Sequence, residues 1–127
     1  MRNETTVQIC AKERWNHTKF QLTKGKLYNF SANGKWFDAG LEYGPDGGPA
    51  KSPVQSIFEW AKRRRGEPWF SLTGAVNSDM KTAFRIGSSK SGYVPMTDGE
   101  LTCFANDVVW AYSNNSGCIE LTVSESE

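Results

Sequence analysis

The chain has 127 residues, a formal net charge of +1 and an aromatic share of 13%. A charge this close to zero gives no general attraction for nucleic acid or for an anionic membrane, so we expect no nucleic-acid partner and no membrane insertion. No stretch is long and apolar enough to span a bilayer as a helix, and the length predicts a single domain over residues 1–127.

Short strands separated by turns are predicted for most of the chain. Residues 5–11, "TTVQICA", alternate polar and apolar side chains, and residues 19–36 predict two more strands around a Lys-Gly-Lys turn that close at Asn33-Gly34. A loop rich in glycine and proline follows. Later strands are predicted in the segments 69–76, 83–87, 100–107 and 118–124. This spacing of short strands favours a β-sandwich or jelly roll.

One helix is predicted, in "SPVQSIFEWAKRRRGEP" at residues 52–68. Ser52 is a candidate N-cap, Pro53 suits the first helical position, and Gly66 and Pro68 end the pattern. The apolar positions of the helix are Val54, Ile57, Phe58 and Ala61.

A basic run, Lys62–Arg65, ends this predicted helix. Because positive charge is favourable at a helix C-terminus, we interpret the run as a solvated end rather than an anion site. The flanking Trp60, Trp69 and Phe70 are interpreted as core residues, with a stacking platform for a sugar or a partner as the alternative.

Three cysteines, Cys10, Cys103 and Cys118, cannot all pair within one chain. No disulfide framework or C-x-x-C spacing is present, so we expect reduced thiols packed in the core. Pairing of Cys103 with Cys118 across a hairpin is the alternative. Because the N-terminus lacks an apolar signal region, we expect a cytoplasmic protein without a signal peptide, and leave open its release or action at a surface.

Catalytic motifs do not stand out. The single histidine, His17, is interpreted as a surface or turn residue. The sequence shows no nucleophile elbow, no H-E-x-x-H helix and no glycine-rich phosphate loop. Two carboxylates could in principle hydrolyse a glycoside, but no pair is singled out. We therefore predict that the protein is not an enzyme.

The segment "FANDVVWAYSNNSG" at residues 104–117, the site loop below, carries polar side chains at both ends and apolar ones between. Asp107 supplies a carboxylate, and Asn114 and Asn115 supply amide oxygens. Calcium takes six to eight oxygen ligands, so a loop that folds back as a hairpin could hold it with the help of backbone carbonyls. The alternative is an ordinary turn whose Asp and Asn side chains cap their own backbone.

The site loop also resembles that of a known family, the calcium-dependent galactose-binding lectins of bacteria (PA-I type). "NDVVWAYSNNSG" is similar to that family's Asn-Asp-Val, short spacer, Tyr-x-Asn-Asn-Ser-Gly loop, and "LTKGKLYNFSANGKWFDAG" and "DGELTCFAND" fit in order around it. The resemblance implies an all-β fold: a jelly-roll β-sandwich of two antiparallel sheets (galactose-binding-domain-like), here with one short inserted helix. It also implies one bound calcium at an edge of the sandwich.

Carried over residue by residue, the resemblance implies five calcium ligands. The side chains are those of Asp107, Asn114 and Asn115, and the backbone carbonyls are those of Ala111 and Ala39. A sugar diol would complete the shell.

For the sugar itself, the resemblance implies hydrogen bonds from its hydroxyls to Asp107 and Asn114, with the Val108 backbone nearby. Asp38, beside the proposed carbonyl ligand, is an additional acidic contact to the metal or a hydroxyl. The family's sugar-gripping histidine and glutamine have no counterpart in the loop "LEYGPDGGPAKSP" at residues 41–53. A galactose-type sugar is therefore an expectation from the resemblance alone.

Together these observations predict a calcium-dependent carbohydrate-binding protein (lectin) that binds weakly at one site and gains from a homo-oligomer. The alternative is a non-catalytic β-sandwich interaction or accessory module, associated with a phage or a toxin, whose calcium site is structural or degenerate.

Overall fold

Two four-stranded antiparallel sheets and a small three-stranded sheet build the protein, in a computed structural model that describes residues 3–126. The strands are β1 (Glu4–Cys10), β2 (Asn16–Leu22), β3 (Tyr28–Gly34), β4 (Trp36–Asp38), β5 (Leu41–Tyr43), β6 (Leu72–Val76), β7 (Asp79–Arg85), β8 (Ser89–Tyr93), β9 (Gly99–Ala105), β10 (Asn115–Ser116) and β11 (Cys118–Glu125). The helices are α1 (Pro53–Ile57) and two 3-10 turns, Glu59–Ala61 and Tyr112–Asn114.

The two larger sheets pack against each other. Their strand orders are β1-β11-β3-β8 and β2-β9-β6-β7, and the small sheet has the order β10-β4-β5. Aromatic rings bridge the two layers: Phe20 meets Tyr28 with 5.8 Å between ring centroids, and Phe30 meets Phe84 at 5.7 Å. The predicted all-β sandwich of antiparallel sheets with one short helix is confirmed.

The alternation of side chains along the strands explains this layering. In β11, Ile119, Leu121 and Val123 are buried while the residues between them face outward, because successive strand residues point to opposite faces. In β6 every residue is buried, so this strand is covered on both of its faces. A strand covered on both faces shows a continuous buried run rather than an alternation.

The helix begins where it was predicted and ends earlier. The Ser52 side chain accepts a hydrogen bond from the backbone N–H of Gln55 (3.1 Å), and Pro53 occupies the first turn. The α-helix ends at Ile57, and a 3-10 turn over Glu59–Ala61 replaces its continuation. The prediction of one helix extending through the basic run was therefore wrong.

The basic run is not a solvated helix end, contrary to prediction. Lys62 is buried, pairs with the Glu59 carboxylate and donates from Nζ to the Glu67 carbonyl (2.6 Å). The Arg63 guanidinium lies 3.6 Å from the centroid of the Phe104 ring. The cause is a backbone bridge between Lys62 and Val108, which holds the start of this run against the site loop.

Trp69 and Phe70 lie in the core, as predicted, but Trp60 does not. Trp60 is 61% exposed, because the 3-10 turn that carries it places its side chain outside the sandwich.

The prediction of three reduced cysteines was wrong for two of them. Cys10 and Cys118 form a disulfide that joins positions 108 residues apart in sequence. They are register partners in the pairing of β1 with β11, a neighbourhood that exists only in the folded sheet. Cys103 is free and buried, and burial raises the pKa of its thiol far above the ordinary value. The alternative pairing of Cys103 with Cys118 does not occur.

Within residues 3–126, no helix has the length and apolar character needed to cross a membrane.

Candidate functional site

The two polar ends of the site loop meet, but the predicted hairpin was wrong, because the flanking strands β9 and β11 lie in different sheets. Nδ2 of Asn115 donates a hydrogen bond to Oδ2 of Asp107 at 3.0 Å. Between them, the loop turns through the 3-10 segment Tyr112–Asn114. Asn115 then enters β10, where it is the register partner of Asp38 in β4. The small sheet therefore brings a second carboxylate from a distant part of the chain to the site.

Asp107 is a buried carboxylate, with 1% of its surface exposed. Burial raises its pKa to about 6, and the nearby charge of Asp38 adds to that rise. Hydrogen bonds from Asn115 and from the Val108 backbone N–H (2.7 Å), with the charge of Arg63, act in the opposite direction. Desolvation dominates, so the site holds a carboxylate whose charge is poorly compensated by protein groups alone.

Asn115 contributes a buried oxygen without a partner. Its Nδ2 donates both to the Ala11 carbonyl and to Asp107, each at 3.0 Å, which leaves Oδ1 as the remaining polar atom. Oδ1 is buried and has no hydrogen-bond partner among the described residues. An unpartnered buried acceptor costs about 1–3 kcal/mol, a cost that a coordinated cation would remove.

The other predicted ligands lie around this pair. The Ala39 backbone N–H donates to the Asn114 carbonyl at 3.1 Å, which joins the β4–β5 turn to the site loop. The side chain of Asn114 is exposed and so accessible to a ligand, and Ala111 immediately precedes the 3-10 segment. In residues 3–126, no three His, Cys, Asp or Glu side chains cluster as a metal site. A shell here would depend on amide and backbone oxygens, which are ligands that calcium accepts.

A small cavity of about 100 Å³ lies at this site. The predicted residues that line it are Asp38, Asp107, Val108, Ala111 and Asn114. Asn115 and Ala39 do not line the cavity, but each hydrogen-bonds a residue that does. The predicted site residues are therefore brought together around one cavity, and their oxygen donors fit the chemistry of calcium.

Five further residues line the cavity that were not predicted to belong to the site: Val54 and Gln55 of α1, Phe58 at its C-cap, Trp69, and Trp110 in the middle of the site loop. Gln55 donates from Nε2 to Oδ2 of Asp38 at 2.7 Å. The spacing Ser52-x-x-Gln55 could have drawn attention to Gln55, because it places a polar residue at the third helical position after an N-cap. In the structure Gln55 points into the protein instead of bonding back to the cap.

We expect the titration of Asp107 to make the calcium-free protein more stable at pH 5 than at pH 7.5. Its pKa is about 6 in the folded chain against an ordinary 3.8, so between these values the folded state binds a proton that the unfolded state does not. The stabilisation that Asp107 contributes is therefore fully present below pH 3.8 and is lost as the pH rises through about 6. The largest possible loss in the free energy of unfolding is about 3 kcal/mol.

Urea unfolding in EDTA at the two pH values measures this effect. The matched variant Asp107→Asn cannot titrate at this position and should lose that part of the pH dependence. An identical pH dependence in both proteins would contradict the prediction.

Comparison with known proteins shows similarity in structure but no match in sequence. The sequence matches no protein-family model and no curated protein. Among solved structures, the chain is similar to the N-terminal domain of EclA, a PllA-like lectin, with a TM-score of 0.71 and 19% sequence identity. The match covers 95% of each chain. At this identity the likeness shows a shared fold over nearly the whole length.

Proposed function

We propose that the protein is a calcium-dependent carbohydrate-binding protein without enzymatic activity. The observation that carries the proposal is the combination of the buried Asp107 carboxylate with the unpartnered buried oxygen of Asn115, beside a small cavity. Both features are unfavourable in the protein alone and become favourable around a cation. The lectin-like neighbour of the same fold supports a sugar as the ligand.

Calcium bound here would supply open coordination positions for two neighbouring hydroxyls of a sugar. The chain's own oxygens would come from the side chains of Asp107, Asn114 and Asn115 and from the carbonyls of Ala111 and Ala39. These five fall short of the six to eight that calcium takes, which leaves room for a diol. A galactose-type sugar is the first candidate, from the resemblance of the site loop.

The residues at the cavity then have separate tasks. Asp107 accepts hydrogen bonds from sugar hydroxyls, and the exposed amide of Asn114 offers both a donor and an acceptor. The Val108 backbone lies beside them. Asp38 has one oxygen engaged by Gln55, which leaves the other free for a hydroxyl. A homo-oligomer would turn weak single sites into avid binding.

A glycan array tests this proposal. We expect wild-type protein to bind galactosides in calcium and to lose that binding in EDTA, and Asp107→Ala to bind in neither condition. Glu120→Gln is a matched control, because it removes one exposed carboxylate on β11, away from the cavity. Absence of glycan binding by the calcium-loaded wild type, or binding that EDTA leaves unchanged, would refute the proposal.

A second candidate function follows from the way α1 meets the cavity. Val54, Gln55 and Phe58 form part of its lining, and a volume of about 100 Å³ is below the roughly 300–1,000 Å³ of usual small-molecule pockets. A small cavity that is partly covered by α1 is what we expect of a non-catalytic β-sandwich interaction or accessory module. In such a module the calcium site would be structural or degenerate. Calcium would then raise the melting temperature while no glycan binds, so the same array combined with thermal unfolding separates the two candidates.

A further inference from the structure

One wall of the cavity is apolar and is formed by α1 together with the middle of the site loop. Val54 and Trp110 line the cavity and are 64% and 57% exposed, so both present apolar surface to a ligand arriving from solvent. Phe58, also in the lining, meets Trp110 edge to face with 5.8 Å between ring centroids. This contact joins helix and loop into one surface beside Asp107 and Asn114.

Gln55 is the polar residue that α1 adds to the lining, and most of its hydrogen-bonding capacity is used. Oε1 accepts from the Lys51 backbone N–H and lies 3.0 Å from the Tyr43 hydroxyl, whose one proton is shared with the Pro49 carbonyl at 2.8 Å. Nε2 donates to Asp38. Oε1 is thus surrounded by protein groups, and Nε2 keeps one N–H that is not used by Asp38. A sugar hydroxyl pressed against this wall would lose water without a good partner, whereas a methyl group there would gain from burial.

We infer that this wall is a subsite that selects a saccharide with an apolar substituent beside its metal-binding diol, namely a 6-deoxyhexose over the hexose with a hydroxymethyl group. The inference rests on the proposed function, since it concerns the same cavity. In a galactose-type ring, the carbon that carries the hydroxymethyl group is bonded directly to the 3,4-diol. In a cavity of about 100 Å³, that substituent meets the wall formed by Val54, Phe58 and Trp110.

Two methyl glycosides test the inference, those of galactose and of 6-deoxygalactose with the same ring and anomeric configuration. They share every diol and differ by one oxygen atom. Titration calorimetry in calcium should show the 6-deoxy sugar binding about tenfold more tightly. Saturation-transfer NMR supplies a second measurement, in which the methyl protons of the deoxy sugar should receive the strongest transfer from the protein.

A pair of helix variants locates the preference. Val54→Thr places a hydroxyl on the wall with nearly unchanged shape and should reduce the preference for the 6-deoxy sugar. Ile57→Thr is the matched control, because Ile57 lies on the same helix with 65% exposure but outside the cavity lining. This control should keep the wild-type preference.

A pair of tryptophan variants tests the wall itself. Trp110→Ala should weaken binding of both sugars about tenfold, whereas Trp60→Ala, which truncates a similarly exposed tryptophan outside the lining, should not. Thermal unfolding with and without calcium shows whether each of the four variants is folded and keeps the wild-type calcium response.

The outcomes separate the inference from the proposed function. Galactose binding as tight as that of 6-deoxygalactose, with the calcium response intact, overturns the inference and leaves the lectin proposal standing. Binding of neither sugar nor any other glycan by calcium-loaded protein overturns the proposed function, and the inference with it. Equal effects of Val54→Thr and Ile57→Thr would show that the wall does not select the substituent.

Discussion

Substitution of Asp107 by asparagine is expected to weaken calcium binding by about 100-fold or more. Asp107 is the one carboxylate among the proposed ligands, and charge count is a main determinant of calcium affinity. Changes to groups that only orient metal ligands already cost roughly 10–100-fold, so loss of the charged ligand itself should cost at least as much. The shape of the side chain is nearly conserved, which limits the disturbance to packing.

Titration calorimetry with calcium measures this loss directly. Thermal unfolding gives an independent value, because calcium at 100 times its dissociation constant should stabilise the wild type by about 2.7 kcal/mol and the variant hardly at all. Glu120→Gln, which removes an exposed carboxylate on β11, should behave as the wild type. Wild-type affinity in Asp107→Asn would show that the site loop does not bind calcium through this carboxylate.

Removal of the Cys10–Cys118 disulfide is expected to lower the free energy of unfolding by about 3–5 kcal/mol. The bond closes a segment with a sequence separation of 108 residues, so its loss greatly increases the freedom of the unfolded chain. Equilibrium unfolding in urea, with and without a reductant, measures the difference. The double variant Cys10→Ala with Cys118→Ala should match the reduced wild type and not respond to reductant.

The free cysteine supplies a control for this experiment. Cys103→Ala keeps the disulfide and should therefore keep the response to reductant, whatever the cost of truncating a buried side chain. Equal stability of oxidised and reduced wild type would contradict the prediction.

The disulfide and the candidate calcium site are also connected, through the residue that follows β1. Ala11 follows Cys10 directly, its carbonyl accepts the hydrogen bond from Asn115, and its N–H donates to the Gly117 carbonyl at 3.0 Å. The strand end held by the disulfide is thus the one that orients the unpartnered oxygen of Asn115. Reduction should consequently weaken calcium binding as well as stability, which the same calorimetric titration in reductant would show.

The sequence by itself determined the elements whose causes are local. Alternation predicted the strand β1, and Ser52 with Pro53 placed the start of α1, because capping and strand periodicity depend on neighbouring residues. The meeting of Asp107 with Asn115 is not of this class, because the strands on either side of the site loop, β9 and β11, lie in different sheets and form no hairpin. The all-β sandwich followed from these short strands and from the resemblance of the site loop.

Tertiary structure decided the features that depend on distant segments. The pairing of β10 with β4 places Asp38 beside the site loop, and the pairing of β1 with β11 brings Cys10 to Cys118. The burial of Lys62 and the turn of Gln55 toward Asp38 likewise arise from contacts outside their own segment, with the site loop at Val108 and with β4 at Asp38. Local propensity carries no information on such pairings, because their free energy comes from the packing of the two sheets as a whole.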